Sequence, residues 1–92
     1  MHKYEVTVYV QNACQPCRLT KRKLEAAGVP YTERDAVAAD NHRYITGRLG
    51  HMAAPVVTVH RDGQLWTHWS GLRAELLGDV IATINANEEA AA

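Results

Sequence analysis

The sequence predicts an α/β fold in which one mixed sheet is flanked by helices. Strand-like and helix-like segments alternate along the chain, and a strand–helix–strand unit is followed by a hairpin and a last helix. The chain has 92 residues, a length typical of one domain around one core. Hydrophobic residues make up 47% of the chain, which is enough for such a core, so disorder is not expected.

The first half of the chain predicts a strand–helix–strand unit and a second helix. The elements are strands over residues 4–10 and 31–35 and helices over residues 14–27 and 41–49. The first strand is rich in β-branched and aromatic residues, and the first helix is amphipathic. Gly28 and Pro30 are typical of a helix end, and Asp40 is expected to be the N-cap of the second helix.

The second half predicts a β-hairpin and a last helix. The elements are strands over residues 55–60 and 65–69 and a helix from Ser70 to about Asn85. The Asp62-Gly63 pair between the strands is typical of a tight hairpin turn, and Ser70 is expected to cap the helix. The domain is therefore predicted over residues 1–86, with a frayed, disordered tail over 87–92.

Cys14 and Cys17 are the only cysteines in the chain, and they follow the end of the first predicted strand. Two thiols at this spacing can form a small disulfide ring and open it again. If a helix begins at Cys14, the free N–H groups and the dipole of its first turn stabilise a thiolate there. The pair predicts a dithiol–disulfide oxidoreductase in which an exposed Cys14 attacks a substrate disulfide and Cys17 resolves the mixed disulfide.

The cysteine pair could instead be half of a zinc site. Such a site needs about four ligands, and the sequence has no second CxxC motif and no close Cys/His pair. The histidines, which show no ligand spacing and are expected on the surface, are His2, His42, His51, His60 and His68. We therefore expect no metal and no cofactor beyond the redox-active disulfide Cys14–Cys17. The alternative from another functional class is a redox-sensing or metal-binding module without turnover.

The charge balance argues against nucleic-acid and membrane partners. Ten basic and ten acidic side chains give a formal net charge of +0, so no general attraction to a polyanion is expected. No apolar run is long enough to span a membrane, and the first residues lack the apolar stretch of a signal peptide. We therefore predict a monomeric protein of the cytoplasm.

Two further segments are candidates for binding a substrate. A cis bond before Pro55 would leave the backbone groups of Ala54 free to pair with an extended substrate, whereas a trans edge proline is the common case. Trp69 could form a flat apolar wall beside the cysteines, although its residue type favours core filling.

The order and spacing of three motifs resemble those of the NrdH-redoxin family, glutaredoxin-like proteins of the thioredoxin superfamily. The motifs are the strand followed by CxxC, the run APVV at 54–57 and the run HWSG at 68–71, and the resemblance covers residues 3–86. It implies a thioredoxin-like fold with a four-stranded mixed sheet and three helices, in the order β-α-β-α-β-β-α. It also implies a cis proline that faces the cysteines. By resemblance the substrate-binding residues are Ala54, Pro55, Trp69, Ser70 and Gly71.

The same resemblance implies electron transfer from thioredoxin reductase to ribonucleotide reductase or another disulfide-containing protein. The glutathione pattern of glutaredoxins is poorly met, because Gln11 replaces a lysine and Ala74 lies where an acidic residue is usual. A glutaredoxin or mycoredoxin served by glutathione or mycothiol is the alternative. The motif CQPC departs from the family's C-[MV]-Q-C and is similar to the C-x-P-C of thioredoxin, which suggests a divergent copy carried by a phage or plasmid.

Overall fold

In the part of the chain that the computed structural model describes, residues 3–91, four strands form one mixed sheet with helical segments against both faces. The strands are β1 (Tyr4–Val10), β2 (Tyr31–Asp35), β3 (Val56–Arg61) and β4 (Gln64–Ser70). The helical segments are α1 (Gln15–Ala26), α2 (Ala39–Arg43), a π-helical turn (Tyr44–Arg48) that continues α2, and α3 (Ala74–Ala91).

The strand order is β2-β1-β3-β4. β1 pairs parallel with β2 and antiparallel with β3, and β3 pairs antiparallel with β4. This arrangement confirms the predicted α/β fold and its mixed sheet. It also places β1 inside the sheet, so that the loop after β1, which leads to the cysteines, lies between neighbouring strands.

The main core lies between the sheet and helices α1 and α3. Alternate residues of β1 point to this face, and Val6 and Val8 are 4% and 0% exposed. They pack with buried side chains of the other elements, including Leu24, Val57, Val59, Leu77 and Ile84. Tyr9 points to the opposite face and packs in a smaller cluster with Ile45 and Val56. Near the end of β1, both faces of the sheet are therefore covered by other parts of the chain.

The β3–β4 hairpin turns at Asp62-Gly63, as the sequence predicts. These residues have φ values of 52° and 81°, and two successive positive φ values are typical of a type I′ turn. A register shift follows between Val59 and His60, which pair with Thr67 and Leu65. Trp66 is the extra residue of the resulting β-bulge.

The second helix differs from the predicted one in its start and its geometry. Ala38, and not Asp40, is the N-cap of α2, and Asp40 lies in the first turn, where its charge still favours the helix. The expected continuation to Leu49 is a π-helical turn, in which the N–H of Leu49 donates to the carbonyl oxygen of Tyr44 at 3.1 Å. Gly47 lies inside this turn and lowers the helix propensity of the segment.

The last helix starts and ends later than predicted. Ser70 pairs with Val56 as the last residue of β4, so it does not cap α3, which begins at Ala74. The helix runs to Ala91, so the described part of the expected tail is helical. Its alanines and glutamates are good helix formers, and the Asn87 side chain donates to the carbonyl oxygen of Thr83 at 2.8 Å. Ala92 lies outside the described residues.

We predict that Leu24→Ala lowers the free energy of unfolding by about 2–5 kcal/mol, because it leaves a cavity under α1. Leu24 is 0% exposed in the main core. The matched control is Leu65→Ala, since Leu65 is 40% exposed and its truncation is expected to cost about 0.5 kcal/mol or less. Urea unfolding of both variants measures the difference, and equal losses would contradict the assignment of the core.

Candidate active site

Cys14 and Cys17 form a disulfide, with Cα atoms 5.2 Å apart. Cys14 has an extended backbone and is the N-cap of α1, and its Sγ accepts a hydrogen bond from the N–H of Cys17 at 3.1 Å. Ala13 before it has a φ of 53°, a left-handed conformation that costs a non-glycine residue about 1–3 kcal/mol. This residue turns the chain from the end of β1 into the helix, and so sets where the cysteines lie.

The N-cap position explains why Cys14 is suited to attack. In the dithiol form, the N–H of Cys17 and the positive end of the α1 dipole would both stabilise a thiolate at Cys14. The first turn of α1 contains no acidic residue that would oppose this charge. Pro16 lies at the start of the helix, where its missing N–H costs nothing but leaves one donor fewer for the sulfur.

Cys14 is the more exposed of the two cysteines, as predicted, but it is largely covered. The exposed fractions are 7% for Cys14 and 2% for Cys17, so the expectation of an open Cys14 is too strong for this disulfide form. Cys14 Sγ is bonded to Cys17 and accepts a hydrogen bond from its N–H, so part of the sulfur faces the first turn of α1.

A groove of about 560 Å³ lies beside the disulfide. Its walls come from the ends of β1 and β2, the loop before Cys14 and the first turns of α1. The charges of Lys21 and Glu33 meet in an ion pair of 2.8 Å, and the Arg18 guanidinium donates to the Gln15 side chain. Val37 adds an apolar side chain that is 64% exposed. The groove is thus polar: Lys21 and Glu33 pair with each other, and Arg18, Arg34 and Asp35 add further charges to its walls.

The Ala54–Pro55 peptide bond is cis, as the family resemblance implies. The carbonyl oxygen of Pro55 accepts a hydrogen bond from the N–H of Gly71 at 2.8 Å, and Val56 pairs with Ser70. The segment before β3 and the segment after β4 are therefore held side by side.

These segments and the cysteines lie at the same end of the sheet. Val56 pairs with Tyr9, one residue before the end of β1, and Pro55 precedes Val56. The carboxyl end of β1 leads through a short loop to Cys14. The topology therefore gathers the predicted residues Cys14, Cys17, Ala54, Pro55, Ser70 and Gly71 at one end. The substrate-binding role of the last four stays a prediction.

Trp69 is buried in the main core and does not form an open apolar wall. Its side chain is 2% exposed and packs in the main cluster with residues such as Val6 and Leu77. Trp69 pairs with Val57, whose side chain also points to the core face, and the strand pairing therefore directs the indole inward. The indole fills the core, as its residue type favours, and the contact of Trp69 with a substrate stays a prediction.

A pair of histidines was not expected from the sequence. His51 and His68 are half-buried, and His51 Nε2 lies 2.8 Å from His68 Nδ1, a hydrogen bond between imidazole rings. Burial, and then the neighbouring His68, lower the pKa of His51 below its usual 6.5. The prediction of surface histidines holds for His42, whereas His51, His60 and His68 are half-buried. His2 lies outside the described residues.

The described residues, 3–91, contain no group of three or more His, Cys, Asp or Glu side chains arranged to hold a metal ion. None of the helices in that range is both long enough and apolar enough to cross a membrane.

Residues 6–66 match the family model of glutaredoxin. The chain belongs to the glutaredoxin family. The gene 56 protein of Mycobacterium phage L5 is 42% identical over 53 residues, which are 56% of this chain and 52% of that protein. This chain thus spans about half the length of that curated relative.

Solved structures of thioredoxins share the fold. Fasciola hepatica thioredoxin has a TM-score of 0.67 at 22% identity, with 89% of this chain and 81% of that chain covered. Thioredoxin f from spinach chloroplast has a TM-score of 0.68 at 17% identity, with 91% and 78% covered. The thioredoxin-like fold and the CxxC disulfide of a glutaredoxin-family protein are the features that thiol–disulfide exchange requires.

We predict that Cys14→Ser abolishes disulfide reduction and that Cys17→Ser accumulates a mixed disulfide on Cys14. The N-cap thiolate attacks first, and the second thiol then resolves the adduct. Mass spectrometry of each reduced variant after exposure to a disulfide-bonded peptide measures the adduct. An adduct on Cys17 of the Cys14→Ser protein, together with no adduct on Cys14 of the other variant, would reverse the roles.

Proposed function

We propose that the protein is an electron carrier of the NrdH-redoxin type, which receives electrons from thioredoxin reductase and reduces protein disulfides. The observation that carries this proposal is the active-site end of the sheet, where the Gly71–Pro55 backbone bond joins the end of β4 to the start of β3 and Ala54 comes next to them. The groove beside Cys14 carries Arg18 and Arg34, but Gln11 supplies no cation at the position where the glutathione pattern has a lysine, and Lys21 pairs with Glu33. Ala74, at the start of α3, provides neither a charge nor a hydroxyl group.

Glutathione needs partners for two carboxylates and an amine, and charge-assisted hydrogen bonds supply most of the binding energy for such groups. Each contributes about 1.5–3 kcal/mol. Two missing contacts would therefore weaken binding by about two to four decades, at about 1.4 kcal/mol per decade. This argument favours a protein over a tripeptide as the electron donor.

A protein partner can use contacts that do not depend on those charges. The backbone groups of Ala54, before the cis proline, can pair with an extended segment of the partner. Met52 is 87% exposed two residues earlier, and Val37 is 64% exposed on the wall of the groove. Half-buried Leu72 adds apolar surface after Gly71. Backbone pairing next to scattered apolar side chains suits an extended peptide.

In the proposed reaction, the Cys14 thiolate attacks one sulfur of the acceptor disulfide. The acceptor S–S bond breaks, its second sulfur leaves as a thiolate and takes a proton, and a mixed disulfide forms. The Cys17 thiolate then attacks Cys14 Sγ, so the acceptor leaves as a dithiol and Cys14–Cys17 becomes the disulfide. Two electrons pass to the acceptor, and thioredoxin reductase returns them.

We further propose ribonucleotide reductase, or another disulfide-containing protein, as the acceptor. In this proposal the protein acts as a monomer in the cytoplasm and needs no cofactor other than its own disulfide. Its similarity to a protein of Mycobacterium phage L5 supports a divergent copy carried by a phage or plasmid.

We predict that thioredoxin reductase reduces this protein faster than glutathione does. A coupled NADPH assay with each donor system at matched concentration, with insulin as the acceptor, measures the two rates. A mycothiol system is the third arm, because the same groove would have to hold that thiol. Faster turnover with glutathione or mycothiol would identify a glutaredoxin or mycoredoxin.

Arg73→Ala is the control for this assay. Arg73 is exposed between Leu72 and α3, and its guanidinium could pair with a glutathione carboxylate. We expect removal of Arg73 to leave the rate with thioredoxin reductase unchanged, because that rate does not depend on holding the charges of glutathione. Two results together would contradict the proposal. The unchanged protein would turn over faster with glutathione than with the reductase, and Arg73→Ala would lower the glutathione-dependent rate tenfold or more.

A further inference from the structure

The loop over residues 50–55 carries Ala54 and the cis proline to the active-site end of the sheet, and it is attached to the rest of the fold near both of its ends. At its start, the N–H of His51 donates to the carbonyl oxygen of Ile45 at 2.8 Å. The His51 side chain then reaches β4, where its Nε2 lies 2.8 Å from His68 Nδ1. The two rings meet nearly edge to face, with centroids 4.9 Å apart.

At the other end of the loop, the N–H of Gly71 donates to the carbonyl oxygen of Pro55 at 2.8 Å. Gly71 follows β4, and His68 lies three residues before it on the same chain segment. The loop is thus fixed to β4 by an imidazole bond at one end and a backbone bond at the other. Ala54 lies between these two attachments.

We infer that the His51–His68 hydrogen bond is a positioning clamp, which holds the Ala54 backbone where a protein disulfide docks and which opens in acid. The inference rests on the proposed function, because it assumes that an extended peptide pairs with Ala54. His51 and His68 do not touch the reacting sulfurs. They act through the loop.

The proton balance of the pair explains the acid sensitivity. In the neutral pair one ring donates its N–H to the bare nitrogen of the other. A first added proton goes to the outer nitrogen of the donor ring and keeps the bond, whereas a second must go to the accepting nitrogen and breaks it. The lowered pKa of His51, due to burial and then to His68, agrees with a pair that resists protonation.

The sign of the stability effect follows from the same balance. In the unfolded chain His51 takes up a proton near pH 6.5, more readily than it does in the fold. The stabilisation that comes from keeping His51 neutral in the fold is therefore present above about pH 6.5 and is lost as the pH falls through the lowered pKa of His51.

Adjoining elements carry other side chains that could act on the histidine pair. Thr58, the strand partner of His68, carries no charge. His60 lies two residues further along β3 and faces Glu5 across the sheet. Arg48 ends the π-helical turn that precedes the loop. The neighbouring charge that acts on the pKa of His51 is that of His68.

The test uses chemically reduced protein in single turnover, so that no reductase is needed. The rate with a disulfide-bonded peptide is divided by the rate with 2-hydroxyethyl disulfide, which shares the thiolate chemistry but is too small to need the loop. For the natural protein we expect this ratio to fall about threefold to tenfold between pH 7.5 and pH 5.0, the loss expected for one hydrogen bond.

Three variants separate a clamp from a general structural role. His51→Ala is expected to have the lowered ratio already at pH 7.5. His51→Gln, whose amide can replace Nε2 but does not titrate, is expected to restore the ratio and remove its pH dependence. His42→Gln, on an exposed face of α2, is the matched control and should follow the natural protein. A ratio in the natural protein that does not change with pH would overturn the inference.

An NMR titration of the imidazoles provides a readout that does not use activity. We expect His51 and His68 to titrate as a coupled pair, and the amide signals of Ala54 and Gly71 to shift with the more acidic step. Independent titration of the two rings, without a shift at Ala54, would overturn the clamp. Failure to reduce the peptide at any pH would instead overturn the proposed function, and the titration would still decide the clamp.

Discussion

The chemistry of this protein depends on one hydrogen bond, from the N–H of Cys17 to Cys14 Sγ at 3.1 Å. This bond makes Cys14 the N-cap of α1, so that the reactive sulfur occupies the place where a helix stabilises negative charge. The left-handed Ala13 is needed for the same reason, because it turns the end of β1 into that cap. The end of β1, the turn at Ala13 and the start of α1 thus together position the Cys14 sulfur.

The sheet supplies the second requirement, a place for the partner beside that sulfur. β1 and β3 run antiparallel, and the end of β1 therefore lies next to the start of β3, where Pro55 precedes Val56. β4 then ends beside the start of β3, and Gly71 binds Pro55. Backbone pairing thus adds to the charged groove a second surface at the active-site end of the sheet, and this surface suits an extended protein segment.

Local patterns in the sequence predicted much of this arrangement. The β-branched run before the cysteines and the Asp62-Gly63 turn each act over a few residues, and the structure confirms both elements. The His51–His68 contact joins residues 17 positions apart, and no periodicity in the sequence relates them. The burial of Trp69 depends in the same way on its pairing with Val57. Contacts set by strand register and loop path could not be derived from local propensity.

The β-bulge at Trp66 affects how the molecule meets other copies of itself. β4 is an edge strand, and a regular edge presents a ladder of free amide and carbonyl groups that a foreign strand can extend. The extra residue interrupts that ladder and increases the local twist, so a second chain cannot pair along the whole of β4 without leaving backbone groups unsatisfied. The irregular hairpin thus protects a small redox protein from sheet-to-sheet aggregation at this edge.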